Sequence, residues 1–149
     1  MLLTQKAIAE GGRAMIYHAA QIADNMNDAL LRGDTAAFEQ HDDHLGFYTP
    51  ILKGFLTEMG YEASNHGMQV SGGHGYIKEW GMEQIVRDSR ISTLYEGTTG
   101  VQALDLIGRK VLLTSKGKVI RDYTAEILKF CGQHARNKYM RRFAWDLTK

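Results

Sequence analysis

Ile8, Gly12, Met15, Ala19, Ile22, Met26 and Leu30 recur every three or four residues across the first thirty positions. Only an α-helix gathers that spacing onto one face. A helix of about Thr4 to Arg32 follows, stopped by Gly33, with Arg32 suited to the negative end of its dipole. The stripe is read as core packing. Alternating β-branched stretches are few and Pro50 is the one proline among 149 residues. The length suits one domain with its own core. The fold class expected is all-α.

The remainder divides at its glycines and prolines. Asp34 can cap a short helix through Phe38, and Glu39-Gln40-His41-Asp42-Asp43-His44 reads as a solvated connector. A di-metal carboxylate bundle needs Glu-x-x-His pairs on several helices. None exists here, and Glu62 with His66 has no matching second pair, so no metal site is expected. Thr49-Pro50 reads as a helix start, a cap followed by proline at the first position. That second helix runs to about Ser71 with Leu52, Phe55, Met59, Ala63, His66 and Val70 on one face. Gly60 and Gly67 predict close approach of a neighbour. His66 is read as a hydrogen-bonded core residue. Tyr76, Ile77 and Trp80 are expected to fold back onto the bundle.

A short helix spans Met82 to Ser92, with Ile85 and Val86 as its apolar face. Another begins at Thr98 or Thr99, with Val101, Leu104, Ile107, Gly108 and Val111 inward. Thr114 to Gly117 breaks the pattern. A further helix carries Ile120, Tyr123, Ile127, Phe130 and His134 on one side, and the cationic, aromatic stretch from Arg136 to Lys149 closes the chain. The architecture expected is an up-and-down four-helix bundle with an additional C-terminal helix. It forms a single domain over 1–149, made of a bundle over 4–113 and an appended segment over 114–149.

The net charge is +1, so no field points to nucleic acid or a membrane surface. Cys131 alone excludes an internal disulfide and fits a reducing compartment. No apolar run approaches the ~20 residues of a membrane span. The start has no basic region followed by a long apolar block, so no signal peptide is read and a cytoplasmic location is expected.

The stretch from Gln69 to Gly100 is the densest in residues that a fold alone does not require. Gly72, Gly73 and Gly75 permit positive φ and close approach of a ligand to the main chain. They are not a dinucleotide fingerprint, since Lys78 occupies the third glycine position and a helix precedes. A tight turn alone and a turn with ligand contact both remain open. Glu96, between Tyr95 and Gly97, also has two readings. It can be a favourable charge at a helix N-terminus. It can also be a general base, which a dry pocket would strengthen.

Gln69, Gly72-Gly73-His74-Gly75-Tyr76, Glu83, Arg87-Asp88-Ser89-Arg90-Ile91 and Tyr95-Glu96-Gly97-Thr98-Thr99 stand in fixed order. That order resembles the C-terminal helical domain of the FAD-dependent acyl-CoA dehydrogenases, over roughly residues 4 to 113. The resemblance implies that Glu96 abstracts the α-proton of an acyl-CoA thioester while the β-hydrogen leaves as hydride to the flavin. Its backbone N–H would help hold the thioester carbonyl. Gln69 and the glycines through Gly73 match a segment lying against the FAD pyrophosphate of a neighbouring subunit. Thr98 matches a residue touching FAD. Arg87 and Asp88 match a structural pair.

At position 100 the family often has a side chain near the cofactor; Gly100 could contact it only through backbone. The arginine often found late in the next helix is out of register, because Gly108 stands there and Arg109 follows. The appended helix and the Asp34–His44 stretch resemble a larger subgroup, some of whose members act on small or sulfur-bearing acyl-CoAs. The resemblance further implies an electron-transfer flavoprotein or similar acceptor and a homo-oligomer associating through this domain. The chain is expected to be an isolated C-terminal piece, inactive alone because the main FAD site lies in upstream domains. The rival reading is a non-catalytic helical oligomerisation or interaction module.

Overall fold

A computed structural model describes residues 1–149. Helices α1 (Leu2–Arg32) and α2 (Thr35–Val70) form an antiparallel hairpin across a two-residue turn. Gly33 sits at φ 71, the left-handed conformation that ends a helix at least cost to glycine. The N–H of Asp34 donates to Ala29 O at 2.9 Å. Its carboxylate then accepts the Ala37 N–H at 3.0 Å and caps α2. Three contacts fix the register. Gln5 Nε2 donates to Ala63 O at 2.9 Å, Gly12 leaves room for Leu56, and the ring of His18 meets Tyr48 edge-on at 5.2 Å.

The α1 stripe faces α2 as expected through Met26, but its last member does not. Ala29 is fully buried and Leu30 is exposed. Seven residues from Ile22 make about two turns of a helix with 3.6 residues per turn, so Ala29 takes the inner position.

The largest correction concerns α2. Asp34 caps a helix as expected, but that helix does not end at Phe38: Glu39 to His44 is helix rather than connector, and Thr49-Pro50 does not start a helix but lies inside one. An interior proline costs about 3 kcal/mol because it lacks an N–H and crowds the carbonyl four residues back. That residue is Gly46. The Thr49 hydroxyl donates to Leu45 O at 2.7 Å, occupying a carbonyl in the same turn. Phe47, Pro50 and Gly54 are all buried here, and this packing overrides the local preference to break. Gly67 is closely packed, since an added Cβ would lie 2.7 Å from Met82 Cε, whereas Gly60 meets nothing within 4 Å.

After the single turn α3 (Gly73–Tyr76) and a 3₁₀ turn at Lys78–Trp80, α4 (Met82–Ile91) runs back along α2. The Ser64 and Ser89 hydroxyls meet at 2.8 Å, and Arg90 lies over the Tyr61 ring at 5.4 Å. Helix α5 (Thr99–Leu104) continues into a π-helical segment, Asp105–Thr114. It follows the N-terminal half of α2: Thr99 and Gln102 lie against Gly54, and Lys110 lies against Gly46. Thus α4 and α5 lie end to end beside α2, and α1 touches α2 alone.

Helix α6 (Lys118–His134) starts after Lys116 and Gly117, both with positive φ. Its Val119 and Tyr123 join Phe47, Val111, Ile51 and Leu106 in the principal apolar cluster. Helix α7 (Arg141–Leu147) packs on α6.

The apolar periodicities are real, but several face outward. Tyr76, Ile77 and Trp80 do not fold back and are exposed. On α4, Ile85 is exposed; Met82, Glu83, Val86 and Ser89 are the half-buried positions. On α6, Val119 rather than Ile120 is buried. Most telling is α5, where Val101, Leu104 and Ile107 are exposed while Gln102 and Leu106 are half-buried. At Gln102 a polar residue faces α2, and beyond it Leu106 and Val111 are the apolar residues that turn inward. Only 13 of 149 residues are buried, so much of the patterned apolar surface is left for something outside this chain to cover.

Candidate active site

The turn from Ser92 to Thr98 joins α4 to α5 and is tied down at its base. Thr93 is 3% exposed. Its hydroxyl donates to Arg90 O at 3.1 Å and accepts from Arg90 Nη1. Lys53 of α2 donates from Nζ to Ser92 O at 2.7 Å and lies 5.7 Å from the centre of the Tyr95 ring. On the far side, the Thr99 hydroxyl donates to Glu58 at 2.7 Å and seats the start of α5. Both anchors belong to α2, so the turn is suspended between two fixed points on one helix.

At its apex Glu96 has φ 53, a left-handed conformation that a side-chain-bearing residue adopts at a cost of about 1–3 kcal/mol. Gly97 follows at φ 91. The Gln102 Nε2 donates to Glu96 O at 3.2 Å. A Cβ on Gly97 would lie 2.5 Å from that nitrogen, so glycine makes room for it. One such bond contributes about 0.5–1.5 kcal/mol net, enough to offset much of the strain. With the carbonyl held, the Glu96 N–H has no acceptor in the chain and its exposed carboxylate has no partner. This chain alone provides no dry pocket around the acid.

Gln69, Gly72 and Gly73 are all exposed. The Gly72 N–H donates to Gln69 O at 3.2 Å, and Gly72 has φ 59 and ψ −144, a glycine conformation. Gly75 has a packing reason, since an added Cβ would lie 2.5 Å from Met68 O. Gly73 has neither reason: nothing lies within 4 Å and its φ is ordinary. Gly100, in the first turn of α5, also meets nothing within 4 Å, and Thr98 is the exposed N-cap of that helix.

The chain does not bring its two candidate stretches together. The Glu96 turn is anchored at Lys53 and Glu58, while Gln69 lies 11 to 16 residues further along α2, roughly 16–24 Å at 1.5 Å per residue.

Arg87 and Asp88 are both exposed and make no ion pair with each other; Asp88 accepts from Gln84 Nε2 at 2.7 Å. His66 is half-buried beside Glu62, at 3.5 Å. No three His, Cys, Asp or Glu side chains converge as metal ligands. In the π-helical segment Arg109 pairs with Asp105, which holds that carboxyl below its usual range. The residues that sequence reasoning missed are Lys53, Glu58 and Gln102. The first two act 39 and 41 residues away in sequence, with no local signal. Gln102, six residues after Glu96, was legible only as a polar break in an apolar helix.

The family model for the acyl-CoA dehydrogenase C-terminal domain matches residues 1–112. A 3-methylmercaptopropionyl-CoA dehydrogenase of Ruegeria pomeroyi is 43% identical over 112 residues, covering 75% of this chain and 18% of the relative. A broad-specificity linear acyl-CoA dehydrogenase of Mycobacterium tuberculosis is 34% identical over 136 residues, covering 91% and 22%. A butyryl-CoA dehydrogenase of Syntrophomonas wolfei is 34% identical over 130 residues, covering 87% and 21%. The chain spans about a fifth of the length of the curated relatives it matches.

Proposed function

We propose, from the premise that this chain belongs to the acyl-CoA dehydrogenase family, that it is the part of a flavoenzyme that supplies the base. The reaction is α,β-dehydrogenation of an acyl-CoA thioester, and Glu96 removes the α-proton. The observation that carries this reading is Glu96 itself. A non-glycine residue is held at φ 53 with its carboxylate and N–H both unpartnered. A helix-dipole charge needs no such strained backbone.

The chain's own groups divide the work. The Glu96 carboxylate takes the proton, a role worth about 10²–10⁴ in rate. The Glu96 N–H is free to donate to the thioester carbonyl as negative charge develops there. Water must be excluded by domains outside this chain, since Glu96 is exposed within it. FAD, when bound, supplies the hydride acceptor.

The glycine stretch fits a pyrophosphate-facing role. Gly72 adopts a conformation suited to glycine, and Gly73 has no packing reason to lack a side chain. Gln69, Gly72 and Gly73 would lie against the cofactor of a neighbouring subunit, consistent with their distance along α2 from Glu96. Thr98 and Gly100 would meet the cofactor beside the base, Gly100 through backbone only. An electron-transfer flavoprotein or similar carrier would reoxidise the flavin. The names of the relatives favour short, linear or sulfur-bearing acyl groups.

We read residues 4–113 as the family's helical domain, with 114–149 appended to it. Exposed apolar residues on α1, including Leu3, Ile16, Tyr17 and Leu31, favour a homo-oligomer through this domain. They equally favour the second reading, a helical interaction module without catalysis.

The test uses the flavin-loaded enzyme that carries this domain. Butyryl-CoA, longer linear acyl-CoAs and 3-methylmercaptopropionyl-CoA are titrated while the visible flavin spectrum is recorded. Bleaching by one of them is expected, and Glu96→Gln should keep FAD and lose turnover. Wild-type turnover in Glu96→Gln would remove Glu96 as the base. Flavin that ignores every thioester would leave the interaction module.

A further inference from the structure

We propose that Gln102 is a positioning residue for Glu96, fixing the direction in which the acid and its N–H point. This assignment rests on the reading of Glu96 as the base. Three observations carry it. The amide of Gln102 donates to Glu96 O at 3.2 Å across the mouth of the turn. Glu96 is one of two non-glycine residues with positive φ in the chain, so its backbone needs an external hold. Gly97 lacks the Cβ that would lie 2.5 Å from Gln102 Nε2, so the turn is shaped to admit this amide.

A peptide unit rotates as one plane. Holding the Glu96 carbonyl therefore restricts rotation of the adjoining backbone and of the residue that carries the acid. Gln102 is well placed for this. It lies in the first turns of α5, its own N–H donates to Thr98 O at 2.9 Å, and its Cβ lies against Gly54 of α2. The amide is thus referred back to the same helix that anchors the other end of the turn through Lys53. Its polarity also accounts for a polar residue facing α2 where the helix has apolar residues to offer.

The test again uses the flavin-loaded enzyme, comparing wild type with Gln102→Met, which keeps the length of the side chain and removes the donor. Expected are unchanged FAD content, an unchanged Kd for acyl-CoA and a fall of about 10²-fold in flavin bleaching at saturating substrate, the cost of a misplacement near 1 Å. Gln102→Glu, which when ionised cannot donate, serves as the second variant and should behave alike. Wild-type bleaching in either folded variant overturns the proposal. Glu96→Gln run in parallel separates the two readings. An active Glu96→Gln sinks the base itself. An inactive one beside a fully active Gln102→Met sinks only the positioning role.

Discussion

At the scale of single residues, the glycine cluster shows how one sequence signal covers three physical causes. Gly72, Gly73 and Gly75 look equivalent in the sequence. One answers to backbone conformation, one to nothing in the fold, and one to a carbonyl 2.5 Å from where its Cβ would be. Gly75→Ala should therefore destabilise the chain by about 1–3 kcal/mol, the usual cost of overpacking. Gly73→Ala should stabilise it by up to about 1 kcal/mol and weaken FAD retention in the full enzyme. Urea midpoints of the two variants check the first pair, and bound flavin per chain checks the last.

Tyr48 offers a second test at this scale. It lies at the junction of α1, α2 and α6, near His18, Tyr123 and Glu126. Burial, then the neighbouring Tyr123 and Glu126, push its pKa above the ordinary 10.0. The folded chain holds this proton more tightly than the unfolded one. The associated stability is complete below pH 10 and declines as pH rises from there toward the folded-state value. Tyr48→Phe should flatten the part of the alkaline decline due to this group, seen by comparing urea midpoints at pH 8 and above pH 10.

At the scale of elements, the class of structure was legible because amphipathic periodicity is a local property. The all-α expectation and the positions of α1, α4 and the Glu96 turn follow from spacing, caps and glycines. What was illegible depended on partners distant in sequence. Pro50 reads as a helix start by every local rule, yet burial of Phe47, Pro50 and Gly54 carries α2 through it. In α5 the apolar residues define a real face, but periodicity does not say which face meets α2. Val101, Leu104 and Ile107 turn away, while Gln102 and Leu106 turn inward. The acid at the apex could be read from the sequence; the amide that holds it and the lysine beneath it required the fold.

At the scale of the whole molecule, α2 is the reference for both candidate stretches. It carries the glycine stretch at its C-terminal end and both anchors of the Glu96 turn nearer its middle. On the proposed reading, that one helix would space two different cofactor contacts, one toward a neighbour and one toward its own active site. A chain with 13 buried residues leaves apolar faces exposed, and on the same reading the acid it presents would depend on neighbours for dryness.

The π-helical segment Asp105–Thr114 has a consequence of this kind. A π turn holds more residues than the α turn it replaces. The segment behaves as a phase shifter: its wider turns take up extra chain while Val111 keeps the face that meets Phe47. Deleting Gly108 should close one turn to α geometry and leave Val111 on the face that meets Phe47. The expected result is an unchanged or higher urea midpoint with unchanged or greater helical circular dichroism. A loss of about 1.5–3 kcal/mol, the cost of exposing Val111, would show that the segment does not hold the phase.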